Sequence, residues 1–176
     1  MVAAGIAAAA ALLVAPRSDP PPAPVIVDGL EIAPRVTVVA TDGCMPPTGE
    51  FPSLNAPGDV AAPRGDVQVT PSGVRVRVLA EGCAGRNHPG PSDVVTVRMA
   101  GWTMDGIEIV HMRGLTNLPL TAVVPGFRDG VQLMHRGDRV RMWVPSGLAY
   151  GTTRTAGRPG GDLTFDVELV DIKPSR

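Results

Sequence analysis

Aromatic residues are scarce in this chain, with only six among its 176 residues. Phe51 stands alone in the first half. The other five all lie within the last 75 residues: Trp102, Phe127, Trp143, Tyr150 and Phe165. Aromatic side chains bury large apolar areas, so their distribution predicts that one compact core is formed by the second half of the chain. A length of 176 residues also fits one ordinary domain with additional segments.

Clustered metal ligands and common catalytic motifs are also missing. His88, His111 and His135 fall on separate predicted elements, without the short spacings that zinc ligands show. No GxSxG, P-loop or GxGxxG motif precedes a helix. The glycine-rich residues 158–161 lead into a strand, so they cannot present helix N–H groups to a phosphate. We therefore expect neither a metal ion nor a cofactor, and three solvated or incidental histidines.

Charge of one sign does not dominate either. Sixteen Lys and Arg residues oppose seventeen Asp and Glu residues, which gives a formal net charge of -1. Nucleic-acid-binding proteins and membrane-surface proteins carry concentrated basic patches. We therefore predict no nucleic-acid partner and no polybasic membrane surface.

The N-terminal residues 2–15 are uncharged and apolar, and Pro16 ends this run. Fourteen residues are fewer than the about 20 needed to cross a bilayer, but they suit the apolar core of an export signal. We therefore predict export, to a periplasm or cell envelope. No basic residue precedes the run, and Pro16 directly follows the best cleavage point at Ala15. An uncleaved anchor, or an Ala-rich tail on a cytoplasmic protein, remains an alternative for segment 1–16.

Residues 17–66 are rich in proline, which favours an extended or irregular linker over a packed domain. Within it, residues 35–40 have strand character and could add an edge strand. Cys44 and Cys83 are the only two cysteines, so a disulfide between them is the only possible intrachain pairing. Two unpaired thiols are the alternative.

The predicted folded domain covers residues 67–176. Apolar and polar residues alternate as in strands along several short segments separated by turns: Val74–Val78, Val94–Ala100, Ile107–Met112, Arg139–Val144 and Leu163–Val170. Asp162, Asp166 and Glu168 alternate along the last strand, and we expect them on its solvated side. This pattern, with one short helix, predicts an α+β fold with an antiparallel sheet.

The predicted helix follows Pro125-Gly126. Phe127, Val131 and Met134 form a short apolar stripe, with polar residues on the opposite face, and Gly137-Asp138 ends the helix. Val123 and Val124 are expected to end a short strand before it. A tyrosine loop, Leu148 to Gly151, follows the next strand.

Six phrases in this order resemble the FKBP-type peptidyl-prolyl cis-trans isomerases over roughly residues 67–172. They are TPSGV at 70–74, HPGPSDVVTVRMAGW at 88–102, MDG at 104–106, VVPGFRDGVQLM at 123–134, VPSGLAYG at 144–151 and LTFDVELVDI at 163–172. The resemblance implies a curled antiparallel sheet wrapped around one short helix, with an apolar pocket between them. It also implies catalysed cis/trans interconversion of X-Pro bonds, which requires neither a nucleophile nor a metal.

The resemblance also implies roles for individual residues. Phe127 takes the place of the pocket-floor aromatic residue, which is usually Trp in the family. The Val124 N–H would bond a substrate carbonyl and the Tyr150 hydroxyl would donate to the peptide, so these three residues are the predicted catalytic set. The implied pocket comprises Met99, Ile109, Val110, Val123, Val124, Phe127, Tyr150 and Phe165. The implied ligands are proline-containing segments of client proteins and macrolide inhibitors, bound by a monomer.

Two departures from the family pattern affect the expected pocket. Met99 stands where the family usually has Tyr, and Val110 where it usually has Asp. The family's Tyr and Asp share a hydrogen bond, so their joint replacement predicts a drier pocket without an unsatisfied buried partner. The function that the resemblance implies is prolyl isomerisation during folding of exported proteins. The alternatives are a non-catalytic binder of proline peptides on the same fold, and an assembly subunit that acts through its Pro-rich segment.

Overall fold

The computed structural model describes residues 51, 55–82, 87–155 and 157–175, and the backbone of two short strands nearer the N-terminus. These strands, β1 (Val25–Val27) and β2 (Leu30–Ile32), pair antiparallel within a first unit that spans residues 1–38. The predicted export segment, the predicted strand at 35–40 and both cysteines lie outside the described residues, so these expectations remain predictions.

A six-stranded antiparallel sheet forms the second unit, which spans residues 39–176. Its strands lie in the spatial order β3, β4, β7, β8, β5, β6. They are β3 (Gln68–Val69), β4 (Arg75–Ala80), β5 (Val94–Thr103), β6 (Glu108–Pro119), β7 (Arg139–Val144) and β8 (Leu163–Lys173). The α+β class and the antiparallel sheet with one short helix, predicted from the sequence, are confirmed.

The helix α1 (Pro125–Val131) packs against one face of this sheet. Glycines permit the close approach: a Cβ atom on Gly126 would lie 2.4 Å from Val144 Cγ1, and one on Gly130 would lie 2.8 Å from the Met142 sulfur. Phe127 and Val131 are buried between helix and sheet, as the apolar stripe predicts. None of the helices in the described residues is long and apolar enough to cross a membrane.

The prediction that Val123 and Val124 end a strand is wrong. Strand β6 instead extends to Pro119, and a one-turn 3-10 helix follows at Leu120–Ala122. Leu120 is fully buried and its N–H donates to the carbonyl of Asp93 at 2.9 Å. Val124 keeps an extended backbone, as a residue preceding proline prefers, but it caps the helix.

The prediction that Asp166 and Glu168 lie on a solvated side of β8 is also wrong. Asp166 is 3% exposed and Glu168 is 0% exposed. Arginines on the neighbouring strands cover them: Arg141 binds Asp166 through two hydrogen bonds of 2.7 and 2.8 Å. Arg98 lies 2.5 Å from Glu168, and the Arg139 Nε lies 3.6 Å from it. The polar face of the central strand is therefore a buried layer of ion pairs.

Residues 57–60, which fall in the predicted linker, also pack on this polar face. The Asp59 carboxylate pairs with both Arg77 and Arg141, and its backbone carbonyl accepts a 2.9 Å hydrogen bond from the Trp143 indole. The Val60 carbonyl accepts a 2.6 Å hydrogen bond from the Thr164 hydroxyl. The boundary at residue 67 remains a prediction, and these contacts favour including residues 57–66 in the domain.

The ion pairs of Asp59 predict a specific effect of acid on stability. Burial raises the pKa of Asp59, but Arg77 and Arg141 more than offset this, and the pKa is held below its ordinary value of 3.8. A carboxyl whose folded-state pKa is depressed stabilises the fold above its unfolded-state pKa, and this contribution is lost as pH falls through the folded-state pKa.

We therefore expect Asp59→Asn to lower the free energy of unfolding at pH 7 and to reduce its loss upon acidification. Urea titrations of both proteins between pH 2 and pH 7 measure this difference. The two stabilities should converge at the acidic end, where the wild-type carboxyl is protonated. A constant difference between the two proteins at every pH would contradict the assigned role of the Asp59 charge.

Candidate functional site

A cavity of about 640 Å³ opens between the helix and the curled sheet. All eight residues that the sequence assigned to a pocket line it: Met99, Ile109, Val110, Val123, Val124, Phe127, Tyr150 and Phe165. They come from β5, β6, the start of α1, the loop after β7, and β8. The fold therefore brings together residues that are up to 66 positions apart in the chain (165 − 99).

Two buried phenylalanines, Phe127 and Phe165, line the cavity and contact each other. The rings of Phe127 and Phe165 meet edge to face, with centroids 5.4 Å apart and planes at 85°. This is a favoured geometry for aromatic pairs. Phe165 lies over Gly101, its partner across β5 and β8, where an added Cβ would be 2.5 Å from the Phe165 ring. Glycine at position 101 thus leaves room for the Phe165 ring.

The two valines before α1 form the wall on the helix side. Val123 and Val124 are half-buried and have extended backbones. The first N–H groups of a helix have no partner within the helix, and Pro125 contributes none. Within the part of the chain that the structure describes, no backbone carbonyl accepts the Val124 N–H. This donor is therefore available to a bound molecule.

Tyr150 lies at the rim, with 43% of its surface exposed. It follows the one-turn 3-10 helix at Ser146–Leu148 and precedes Gly151, which has a positive φ of 82°. The N–H of Gly151 donates to the Ser146 carbonyl at 2.9 Å, so the turn that carries the tyrosine is closed on itself. The Arg158 guanidinium lies 5.9 Å from the centre of the Tyr150 ring.

The wall opposite the helix is apolar. Met99 is 5% exposed on β5, while Ile109 and Val110 lie half-buried on the neighbouring strand β6. Only two of the fifteen described lining residues, Tyr150 and Arg158, have polar side chains. Met99 and Val110 therefore add no buried polar group that would require a partner.

Sequence reasoning missed seven further lining residues: Met112, Leu118, Ala122, Ala149, Gly157, Arg158 and Pro159. The cross-strand pairing of Met112 with Met99 explains its place in the wall, and continuation of β6 explains Leu118. The sequence did not reveal the full length of β6, because the alternation of apolar and polar residues is weak beyond Met112. No local pattern identifies Arg158, since its position depends on how its loop folds back.

The histidines lie elsewhere. The rings of His88 and His135 are 4.1 Å apart, with His88 Nδ1 3.2 Å from the Met134 carbonyl. His111 lies 2.9 Å from the Glu108 carboxylate. The described residues contain no group of three or more His, Cys, Asp or Glu side chains arranged to hold a metal ion. None of the three histidines lines the cavity.

The comparisons with known proteins agree with this geometry. A sequence model of the FKBP-type peptidyl-prolyl cis-trans isomerases matches residues 85–170. Over residues 85–170, the chain is therefore similar to the FKBP family. The matched FKBP segment contains every predicted pocket residue, from Met99 to Phe165. It also contains the cavity-lining residues that sequence reasoning missed.

Curated proteins from several bacteria match this chain. A probable FKBP-type peptidyl-prolyl cis-trans isomerase FkpA of Neisseria meningitidis is 34% identical over 63% of this chain and 42% of its own length. An outer membrane protein MIP of Legionella longbeachae is 31% identical over 61% of this chain and 47% of its own length. The chain thus spans less than half the length of these relatives.

Two solved structures share the fold. The crystal structure of FkpA from Escherichia coli superposes with a TM-score of 0.56 and 30% identity, and covers 62% of this chain and 53% of that one. A prolyl isomerase from Pseudomonas syringae superposes with a TM-score of 0.57 at 24% identity over 61% of this chain and 81% of that one. At that identity, the second likeness bears on the fold alone.

Proposed function

We propose that this chain is a peptidyl-prolyl cis-trans isomerase that binds X-Pro segments in the cavity above Phe127. The observation that carries the proposal is the combination of an apolar cavity with two donors at its edge. Phe127 and Phe165 provide an apolar surface for the proline ring, while the Val124 N–H and the Tyr150 hydroxyl can donate to the peptide. The family name of the relatives supports the same activity.

Such a cavity can lower the isomerisation barrier without a nucleophile. The barrier of about 18–20 kcal/mol comes from the partial double bond of the peptide C–N. Twisting removes this double-bond character and leaves a less polar imide, which an apolar, water-excluding cavity favours over the planar form. Each tenfold acceleration requires about 1.4 kcal/mol of this preference. A donor that binds the peptide's carbonyl can hold the part of the peptide on one side of the C–N bond while the part on the other side rotates.

The substrates we propose are proline-containing segments of exported proteins, bound by a monomer. The apolar N-terminal run supports export, and the L. longbeachae relative is named an outer membrane protein. Mass spectrometry of the protein from its own cells would test export, because signal removal near Ala15 shortens the chain by a defined mass. A mature protein that retains residue 1 would argue against a cleaved signal.

The direct test of the proposed activity is the isomerisation of an Ala-Leu-Pro-Phe peptide by the full-length protein, with and without rapamycin. We expect turnover above the uncatalysed rate, which has a half-life of tens of seconds or more. Suppression by rapamycin would show that the cavity with Met99 and Val110 still accepts macrolide inhibitors. A folded protein that binds the peptide without turnover would instead support the non-catalytic binder.

Tyr150→Phe should lower kcat/KM several-fold and leave stability unchanged. The substitution removes only the hydroxyl, and a single neutral hydrogen bond contributes about 0.5–1.5 kcal/mol, or roughly two- to twelve-fold. Tyr150 is 43% exposed, so the fold does not depend on its hydroxyl. Peptide isomerisation and thermal unfolding of the two proteins measure both effects. Unchanged turnover would remove Tyr150 from the proposed catalytic set.

A further inference from the structure

Arg158 is the only charged residue among the fifteen described residues that line the cavity. Its side chain is exposed, and its guanidinium lies 5.9 Å from the centre of the Tyr150 ring. A cation held near an aromatic ring is attracted by the ring's quadrupole, so the charge has a preferred place beside Tyr150. A positive charge therefore lies at the edge of an otherwise uncharged site.

The loop that carries Arg158 is held by its own backbone. Residues 155 and 158 exchange two hydrogen bonds, of 3.2 and 3.1 Å, and Gly157 between them has a positive φ of 77°. The Gly161 N–H donates to the Gly151 carbonyl at 3.0 Å and closes the loop. A Cβ on Gly160 would lie 2.5 Å from the backbone nitrogen of Arg154, so the two arms of the loop are in close contact. Arg158 is thus presented from a tight hairpin.

No nearby acidic residue of the loop neutralises this charge. Residues 145–161 contain two arginines, Arg154 and Arg158, and no Asp or Glu. Asp162, the next residue, accepts a 2.8 Å hydrogen bond from the Ser146 N–H. Among the described residues, no acidic side chain forms a salt bridge with Arg158. Its guanidinium donors are consequently open to a ligand at the cavity mouth.

We propose that Arg158 is a specificity-determining residue that favours substrates carrying a carboxylate side chain next to the proline. A peptide whose proline occupies the cavity must pass its neighbouring residues over the rim, where Arg158 and Tyr150 lie together. An Asp or Glu there gains a charge-assisted hydrogen bond, whereas a Lys or Arg is repelled. This inference rests on the proposed isomerase function and adds a substrate class to it.

The test measures kcat/KM of the full-length protein for proline peptides that differ only in one residue. Glu, Gln and Lys are placed in turn immediately before the proline, and in a second series immediately after it. Exchange between cis and trans signals by NMR avoids a coupling protease, whose own charge preference would confuse the result. The same series is run with Arg158→Gln, Arg158→Glu and the control Arg154→Gln, which changes a charge in the same loop outside the cavity.

We expect the wild-type protein to prefer Glu over Gln by about two- to five-fold in at least one series, the size typical of an exposed ion pair. Arg158→Gln should abolish this preference, Arg158→Glu should reverse it toward Lys, and Arg154→Gln should preserve it. In 1 M salt the preference should fall sharply, because the Debye length is then about 3 Å. Arg154→Gln should leave kcat/KM for the Gln peptides nearly unaltered, and for every variant the preference is the ratio of its own Glu and Gln values.

Two other outcomes would have distinct meanings. The role of Arg158 would be overturned if the Gln peptides were turned over without a Glu preference in either series. It would also be overturned if the preference survived in Arg158→Gln. Both outcomes would leave the isomerase function intact. Absence of turnover for every peptide would defeat the isomerase function itself. In that case, titration of the same peptides by NMR would still decide whether Arg158 selects a carboxylate in binding.

Discussion

Phe127→Ala should remove most of the proposed isomerase activity, with a decrease in kcat/KM of about a hundredfold, equivalent to roughly 2.7 kcal/mol of lost transition-state stabilisation. Phe127 is 2% exposed, lines the cavity and meets Phe165 edge to face. Truncation removes the apolar surface beneath the proline ring and admits water. Both changes act against the twisted imide, which needs a dry and complementary site.

The same substitution will also weaken the fold, because Phe127 belongs to the main hydrophobic core. Phe-to-Ala changes in cores cost about 3–5 kcal/mol. Activity must therefore be compared at a temperature where circular dichroism shows each variant to be folded. Leu169→Ala provides the matched control, because Leu169 is fully buried in the same core but does not line the cavity. Its expected stability loss is about 2–5 kcal/mol, with turnover retained.

Phe127→Trp completes this comparison. Trp is the usual residue of the family at this position, and the sequence resemblance implies that the cavity accepts it. We expect turnover to remain within a few-fold of the wild-type value if the added volume is tolerated. Wild-type turnover in Phe127→Ala would refute the assignment of Phe127 to the cavity floor. Equal losses in Phe127→Ala and Leu169→Ala would attribute the effect to stability alone.

The strands could be predicted because their alternation is local. Residues 139–144 alternate charged and apolar side chains, and β7 has these same bounds. The helix was predicted from the stripe of Phe127, Val131 and Met134, but the predicted end at Gly137-Asp138 is wrong, because α1 already ends at Val131. The end of β6 and the 3-10 turn after it were not predicted, because they depend on Leu120 reaching the carbonyl of Asp93, 27 positions earlier (120 − 93).

The cavity could not be derived from periodicity. Phe127 and Phe165 show the same pattern as ordinary core residues, and the structure places them in the core and in the cavity wall at once. Only the resemblance to a family separated these two possibilities. Arg158 could not be assigned to the cavity for a different reason. Its loop has no periodic pattern, and its approach to Tyr150 depends on closure of the loop formed by residues 151–161.

The polar face of β8 shows why alternation alone can mislead. Asp166 and Glu168 alternate with apolar residues, as a solvated face does, yet both are buried. The arginines that cover them lie on neighbouring strands, at positions that pair across the sheet: Arg141 with Asp166, and both Arg98 and Arg139 with Glu168. Such pairing depends on strand order, which one sequence does not reveal.

Glu168→Gln should be the most destabilising single change on this polar face, with a loss of about 3 kcal/mol in the free energy of unfolding. Glu168 is fully buried, with Arg98 at 2.5 Å and Arg139 at 3.6 Å. The amide keeps the shape of the carboxylate but removes its charge, and leaves two arginines facing a neutral group. We expect the lower end of the range for buried pairs, because the Arg98 side chain is 26% exposed.

Asp171→Asn is the matched control on the same strand. Its carboxylate is 41% exposed and lies 3.9 Å from Arg136, so its loss should cost at most about 1 kcal/mol. Urea unfolding of the three proteins at pH 7 measures both changes. Isomerisation at a temperature where all are folded should be nearly equal, because Glu168 lies on the face of β8 opposite Phe165 and Val167.

Similar stability losses in the two variants would mean that burial of Glu168 adds nothing to its ion pairs. A large loss confined to Glu168→Gln would instead show that the domain depends on a buried charge layer behind its cavity.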